Sequence, residues 1–387
     1  MLVAIVKESR GDETRVALTP DAVKALTGKG VSVAVESGAG LASGASDADY
    51  EAAGASVSTD RAQLLATADV LPVVNALSGE DQEKLKSGSV MIGFLRPLDD
   101  PGSLAAAVRR GVTLFSLELV PRITRAQSMD ALSSMATVAG YKAVIVAADH
   151  LPKLFPLLMT AAGTIPPARV LVLGAGVAGL QAIATARRLG AVVEAYDVRA
   201  AAGEQVKSLG AKFIEVDLGG LQTEDKGGYA KELSPEALEL GRQAIAKAAK
   251  SADVVITTAQ VPGRRAPLMI AAAAVEQMRP GSIIFDLAAP AGGNCEVTRP
   301  GETIVYHGVT IFGPANLVAE MPVHASMLYS RNLSNFLQLI LKKGELVIDR
   351  ADEIIAGSCV AFGGEIVNER VAAVLKARLA AAIGRNL

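Results

Sequence analysis
The sequence predicts an α/β protein of two doubly wound, parallel-sheet (Rossmann-like) domains linked by long helices. Three observations predict it: a glycine-rich strand–turn–helix unit near the middle, repeated alternation of short apolar runs with helical segments, and a core of small aliphatic residues. The middle unit is the most specific. Four apolar residues, Val170–Leu173, run into Gly174-Ala175-Gly176-Val177-Ala178-Gly179; helix-forming Leu180–Leu189 follows, and then a second apolar run, Ala191–Tyr196, closed by Asp197. A G-x-G-x-x-G turn in this context, with an acid ending the next strand, is a dinucleotide-binding pattern. Gly174 permits the tight turn, Gly176 lets the backbone approach a pyrophosphate, and Gly179 lets the helix pack on the strand. The N-terminus of that helix favours an anion. Asp197 is expected to accept hydrogen bonds from both adenosine ribose hydroxyls and to repel a 2′-phosphate, which selects NAD(H) over NADP(H). Val198 and Arg199 beside it, and Thr258 and Ala259 after a later strand, complete the expected cofactor contacts.

The other elements follow in order. Leu2–Val6 reads as a strand. Thr19 is placed as an N-cap with Pro20 at the first helical position, and Gly30 ends that helix. Val31–Glu36, Val70–Val74, Val90–Leu95 and Val112–Ser116 repeat the strand pattern, with helical segments near 60–66, 79–86 and 101–110. Strands separated by helices imply a parallel sheet. A long helix is expected from about Ala126 to His150. Pro152, Pro156, Pro166 and Pro167 then break the chain before Arg169 opens the glycine-motif strand. Lys212–Val216, Val254–Thr257, Ser282–Leu287 and Val309–Phe312 supply further strands, and Met321–Lys342 another long helix. Leu346–Leu387 must pack somewhere, which suggests that the chain returns to its first domain. The expected division is residues 1–130 plus 325–387, and a dinucleotide-binding domain over 131–324, with the nicotinamide in the cleft between them. The loop Asp217–Pro235 carries Gly219, Gly220, Gly227 and Gly228; its length and glycine content suggest a lid.

Composition bounds the function. Half of the 387 residues are apolar, 20% are charged and only 4% are aromatic, with no Trp. Ala, Val, Leu and Gly therefore build the core, as in sheets covered by close-packed helices. The net charge is −2 and the basic residues are scattered, which excludes a nucleic-acid footprint. The two cysteines, Cys295 and Cys359, lack C-x-x-C spacing, as in a reduced, cytosolic protein. The opening MLVAIVKESRGDE has no secretory signal pattern, and no uncharged apolar run is long enough to span a membrane. His150, His307 and His324 are isolated from one another, so no metal site is expected.

A resemblance enters at Arg122–Asp130 (RITRAQSMD) and the following Ala131–Tyr141 (ALSSMATVAGY). These segments resemble the NAD(H)-binding domain of proton-translocating NAD(P) transhydrogenase. So do Lys7–Pro20 (KESRGDETRVALTP), Ala162–Ala191 with the glycine motif, Gly227–Leu233 (GGYAKEL) and Asp286–Glu296 (DLAAPAGGNCE). The Lys7–Pro20 motif is shared with alanine dehydrogenase, a relative of the same fold. The resemblance implies that Arg122, Gln127, Asp130 and Ser133 surround the dihydronicotinamide, with Arg122 and Asp130 paired and Gln127 reaching toward the partner's cofactor. It implies a mobile loop closing on the nucleotide, with Gly228 and Tyr229 on the adenosine side. Its further implications are a homodimer, NADP(H) on a separate component, and membrane-spanning partner subunits that hold the chain at the inner face of the plasma membrane.

The missing chemistry points the same way. Hydride transfer between two nicotinamides needs proximity and alignment, without a general acid or base. An amino-acid dehydrogenase must bind a carboxylate and move protons. Alanine dehydrogenases use a Lys and a His, and aligned by eye those positions fall at Asn75 and Arg96; the acid expected in the loop after Asp286 falls near Pro290. Arg15 survives as a carboxylate-binding candidate. The alternatives are an NAD-dependent alanine or amino-acid dehydrogenase and a non-catalytic NAD-sensing module.

Overall fold
The structure is a computed structural model that describes residues 1–216, 234–261 and 263–384. The chain forms two compact units: Met1–Met135 with Ala319–Leu387, and Ala136–Val318. The first unit opens with alternating strands and helices. These are β1 (Leu2–Ile5), α1 (Pro20–Thr27), β2 (Ser32–Glu36), α2 (Asp47–Ala52), β3 (Ser56–Ser58), α3 (Arg61–Thr67), β4 (Val70–Asn75), α4 (Gly79–Glu83), β5 (Val90–Phe94), α5 (Ala105–Arg109) and β6 (Thr113–Ser116). All their pairings are parallel. Pro20 begins α1, as its fixed φ favours. Thr19 does not cap it with its side chain; its hydroxyl meets Ser330 Oγ at 3.2 Å instead.

The expected helix from Ala126 is shorter: α6 spans Ala131–His150. Before it, Thr124–Met129 forms a 3-10 turn, and Asp130 takes a non-helical conformation that ends the turn. Among the described residues α6 is long and apolar enough to cross a membrane by length and composition. Its Ala143, Val144 and Ala147 are wholly buried in the core of the second unit.

The second unit continues with β7 (Leu158–Thr160), β8 (Gly163–Ile165), β9 (Arg169–Leu173), α7 (Val177–Arg188), β10 (Val192–Tyr196), α8 (Ala202–Ser208) and β11 (Lys212–Phe213). After Ser234 come α9 (Pro235–Ala249), β12 (Val254–Thr257), α10 (Ala272–Val275), β13 (Ile283–Asp286), β14 (Thr303–Tyr306) and β15 (Val309–Phe312). The sheet order is β11-β10-β9-β12-β13-β15-β14, parallel except for β14. Both faces are covered. Val170 and Val172 of β9 join one apolar cluster, while Leu171 and Leu173 join the other. That double burial explains why the strands read as continuous apolar runs rather than alternating ones. Of the expected strand Lys212–Val216 only two residues pair. β7 and β8 form a separate exposed hairpin that the sequence pattern does not announce.

The chain then returns to the first unit with α11 (Pro322–Ile340), β16 (Leu341–Lys342), β17 (Glu345–Leu346), α12 (Glu353–Ser358), β18 (Cys359–Phe362), β19 (Glu365–Ile366) and α13 (Glu369–Gly384). β18 pairs antiparallel with β6, giving the order β19-β18-β6-β5-β4-β1-β2-β3. Val360 and Ala361 bury beside Leu71, Met91 and Leu114 in one core. The expected helix near 101–110 is a 3-10 turn, Pro101–Leu104, followed by the short α5.

Candidate dinucleotide site
The glycine motif folds as strand β9, a turn, and helix α7. Gly174 has φ +96°, a conformation costly for any residue with a Cβ, and a Cβ there would lie 2.6 Å from Thr258 Oγ1. A Cβ on Gly179 would overlap the carbonyl oxygen of Gly174, so helix and strand touch backbone to backbone. Gly176 differs. It precedes α7 with φ −77° and ψ −168°, and a Cβ there would meet nothing within 4 Å. Gly176 leads directly into α7, whose first N–H groups, those of Val177 and Ala178, have no helical acceptor. Ala175 is buried and anchors the turn. This cradle fits a pyrophosphate: bare backbone, helix dipole and space.

The contrast between two glycines gives a direct test. Gly176→Ala is expected to leave the melting temperature unchanged or slightly raised, because its φ suits alanine. The same variant should lose about 1 kcal/mol of NADH affinity, because its methyl group intrudes on the pyrophosphate. Gly179→Ala is expected to lose about 1–3 kcal/mol of stability through forced displacement of α7. Thermal melts and NADH titrations of both variants check this; equal stability of the two would refute the assignment.

Asp197 follows β10 and is almost wholly buried, at 7% side-chain exposure. Its Oδ2 accepts the Ala175 N–H at 2.7 Å and Arg199 Nη2 at 2.9 Å. Its Oδ1 accepts the Arg199 N–H at 2.8 Å and Arg199 Nε at 2.9 Å. The Arg199 side chain thus shares the Asp197 oxygens that a ribose would approach. Val198, half-buried, packs against the apolar cluster beneath the sheet.

On the other flank of the glycine turn, β12 ends at Thr257, and Thr258 Oγ1 donates to the Gly174 carbonyl at 3.0 Å. Ala259 has both backbone groups engaged by one side chain. Its N–H donates to Asn294 Oδ1 at 3.1 Å, and its carbonyl accepts from Asn294 Nδ2 at 2.9 Å. The sequence points to Ala259 but gives no sign of Asn294. Gly228 and Tyr229 of the expected lid, and residues 217–233 as a whole, lie outside the described residues.

In the first unit, Arg122 and Gln127 are exposed on and beside the 3-10 turn Thr124–Met129. Asp130 caps α6: its Oδ1 accepts the Ser133 N–H at 2.9 Å, and its Oδ2 accepts the Ser133 hydroxyl at 2.6 Å. That is the geometry of a capped helix start. The carbonyl of Ser128 accepts from the side chains of Asn332 at 2.9 Å and Asn335 at 3.1 Å on α11, which fixes the turn. Neighbouring Arg125 is held by a two-pronged pair with Asp352 at 2.7 and 2.9 Å.

Models of two domains match the chain: the N-terminal domain of alanine dehydrogenase/PNT over residues 4–139, and the C-terminal domain over residues 143–369. The chain belongs to the alanine dehydrogenase/PNT family. Within this family, the first part of NAD(P) transhydrogenase subunit alpha from Rhodospirillum rubrum is 48% identical over 376 residues, 95% of this chain and 98% of the relative. The alanine dehydrogenase of Mycobacterium tuberculosis is 30% identical over 379 residues, 96% of each chain. The solved structure of a transhydrogenase from Sinorhizobium meliloti aligns with a TM-score of 0.87 at 44% identity, over 95% of this chain and 100% of that one.

The alanine dehydrogenase/PNT fold places Glu8, Glu13, Arg15 and Asn75 together in the first unit. Arg15, buried, is clamped by Glu13 through Nε and Nη2, both at 2.7 Å. Asn75 donates to Glu13 at 2.9 Å and to Glu8 at 3.3 Å. Arg96 is exposed, sits at φ +50° and pairs with Asp99 at 3.4 Å. Its N–H donates to the half-buried Glu118, whose carboxyl is pushed up by desolvation.

Burial pushes the Glu8 carboxyl up to about 7, although the N–H groups of Val74 and Asn75 and the Asn75 side chain oppose the rise. Burial acts likewise on Glu13, but Arg15 and Asn75 outweigh it and hold that carboxyl at about 2. The raised value means that the folded state favours protonated Glu8. Its contribution to stability is full below the ordinary 4.5 and is lost as pH rises through about 7. Glu8→Gln is therefore expected to flatten the loss of stability between about pH 5 and about pH 8, by about 1–3 kcal/mol. Urea unfolding at both pH values checks this; an unchanged slope would show that Glu8 does not titrate there.

Proposed function
We propose that this chain is the NAD(H)-binding subunit of a proton-translocating NAD(P) transhydrogenase. The observation that carries the reading is the full-length likeness to the R. rubrum subunit, at 48% identity, against 30% for the M. tuberculosis alanine dehydrogenase. The nucleotide, when bound, supplies or accepts a hydride at C4 of its nicotinamide. NADH gives that hydride to NADP⁺ on a separate component, yielding NAD⁺ and NADPH, and no proton is exchanged with the protein. The chain's own tasks are binding and alignment. Gly174–Gly179 and Asp197 bind, with Val198, Arg199, Thr258 and Ala259 around them. Arg122, Gln127, Asp130 and Ser133 orient the nicotinamide. Proton passage belongs to membrane-spanning partner subunits, which keep the chain at the cytoplasmic face. The chain acts as a homodimer; the exposed apolar residues Leu157, Leu158, Met159 and Ile165 around the β7–β8 hairpin support an interface there.

Three assays test the reading. The purified chain is titrated with NADH, then assayed for pyruvate-plus-ammonia turnover, and then for hydride transfer to NADP⁺ with the NADP(H)-binding component added. Transfer without oxoacid turnover is expected. Oxoacid turnover would move the chain to the amino-acid dehydrogenases, and NADH binding without either reaction would make it a sensor.

A further inference from the structure
The loop after β13 is built around one buried carboxylate. Asp286 has no exposed surface and accepts five hydrogen bonds. Thr257 Oγ1 and the Ala288 N–H reach its Oδ1, at 2.8 and 3.0 Å. The N–H groups of Asn294 and Cys295 and the Thr298 hydroxyl reach its Oδ2, at 2.8, 3.1 and 2.8 Å. Gly292 and Gly293, at φ +102° and +77°, turn the chain so that these N–H groups point inward. A Cβ on Gly293 would lie 2.9 Å from the carboxylate, so the turn admits little else.

The product of this turn is the position of Asn294. Its side chain is also fully buried, and it pairs with Ala259 as a neighbouring strand would, taking N–H and carbonyl together. Its second amide hydrogen goes to the Pro267 carbonyl at 2.8 Å. Because both donors meet carbonyls, the amide orientation is fixed by its partners. Asn294 thus pairs with the chain just beyond the end of β12, next to Thr258, which meets the Gly174 carbonyl.

The sheet order gives this clamp a side. β10, with Asp197 at its end, lies on one flank of β9; β12, with Thr258 and Ala259, lies on the other. A dinucleotide at such a switch point puts one half on each flank. We infer that Asn294, held by Asp286, is a positioning residue that fixes the Thr258–Ala259 wall against which the nicotinamide half of the nucleotide rests. The inference rests on the NAD(H)-binding reading above. Asn294 is fully buried with its amide oxygen and both amide hydrogens on backbone groups, so it acts through the wall it holds.

The test compares probes for the two halves. Asn294→Ser removes the clamp; Thr298→Val keeps its shape and removes one of the five donors to Asp286. Dissociation constants are measured for NADH and for 5′-AMP, which samples the Asp197 flank alone, together with the fluorescence enhancement of bound NADH. For Asn294→Ser, the NADH constant is expected to rise about tenfold while that for 5′-AMP changes less than about twofold. Thr298→Val is expected to move the ratio the same way by about twofold, with NADH fluorescence altered in both. A variant that keeps the wild-type ratio and fluorescence overturns the inference. Parallel loss of both ligands overturns it too, since that marks a residue of general stability. Should Asn294→Ser not fold, an unchanged ratio in Thr298→Val overturns it. Failure of the wild-type chain itself to bind NADH defeats the NAD(H) reading instead.

Discussion

Gln127→Asn is expected to bind NADH within a few-fold of the native chain and yet to transfer hydride at least about tenfold more slowly, because a displacement on the order of 1 Å is that costly to an aligned reaction. The exposed position of Gln127 on its 3-10 turn means that shortening it leaves folding intact. It has no titrating group, so the loss cannot act through proton transfer. Asp130→Asn is expected to slow transfer as well. The replacement retains an oxygen to accept the Ser133 N–H, so the cap on α6 persists while the charge is removed. Neither variant should change the pH profile of the hydride step, as loss of a general base would. Stopped-flow transfer from NADH on this chain to NADP⁺ on the partner, across pH, is the measurement. Full-speed transfer in both variants would reduce RITRAQSMD to a capped helix terminus.

Asp197→Ala is expected to cost about 1–3 kcal/mol of NADH affinity, a factor of about 5 to 150, through loss of charged hydrogen bonds. Part of that cost arises inside the protein, since the Ala175 N–H and the Arg199 guanidinium both lose their acceptor. Asp197→Asn separates the two contributions. It keeps an oxygen for Ala175 and abolishes the negative charge, so NADPH should be rejected less strongly while the turn stays formed. Equilibrium titrations of both variants with NADH and NADPH decide. Comparable affinity of the native chain for the two nucleotides would sink the role of Asp197.

How much of this is legible in the sequence depends on the range of the interactions. The glycine turn is legible because most of its chemistry is local: Gly174 needs its positive φ, Gly176 answers to open space and Gly179 to the Gly174 carbonyl, and only the contact of Gly174 with Thr258 is distant in sequence. The central strands are legible because burial on both faces leaves no polar position to confuse the pattern. β18 and β19, four and two residues long, carry too little periodicity, and their partner β6 lies far away in sequence. The start of α6 is displaced in a sequence reading because Ala126 and Met129 are buried like helix residues, although they sit on a 3-10 turn. Asn294 escapes for a related reason. A polar residue after two glycines reads as surface loop, and only the fold shows its amide spent on Ala259, 35 positions earlier. Asp197 is legible, but its existing contacts are not: the structure shows Arg199, two residues on, paired with it through Nε and Nη2.

The antiparallel pairing of β18 with β6 also sets an order of events at the ribosome. The second unit is complete once residue 318 has emerged, whereas the first sheet lacks its last two strands until residue 366. Until then β6 presents an unpaired edge, buried on both faces in the finished protein and prone to pair with other chains. The nascent N-terminal half is therefore the segment that needs shelter during synthesis. Premature termination between the two points would release a folded nucleotide-binding half joined to an incomplete, adhesive partner.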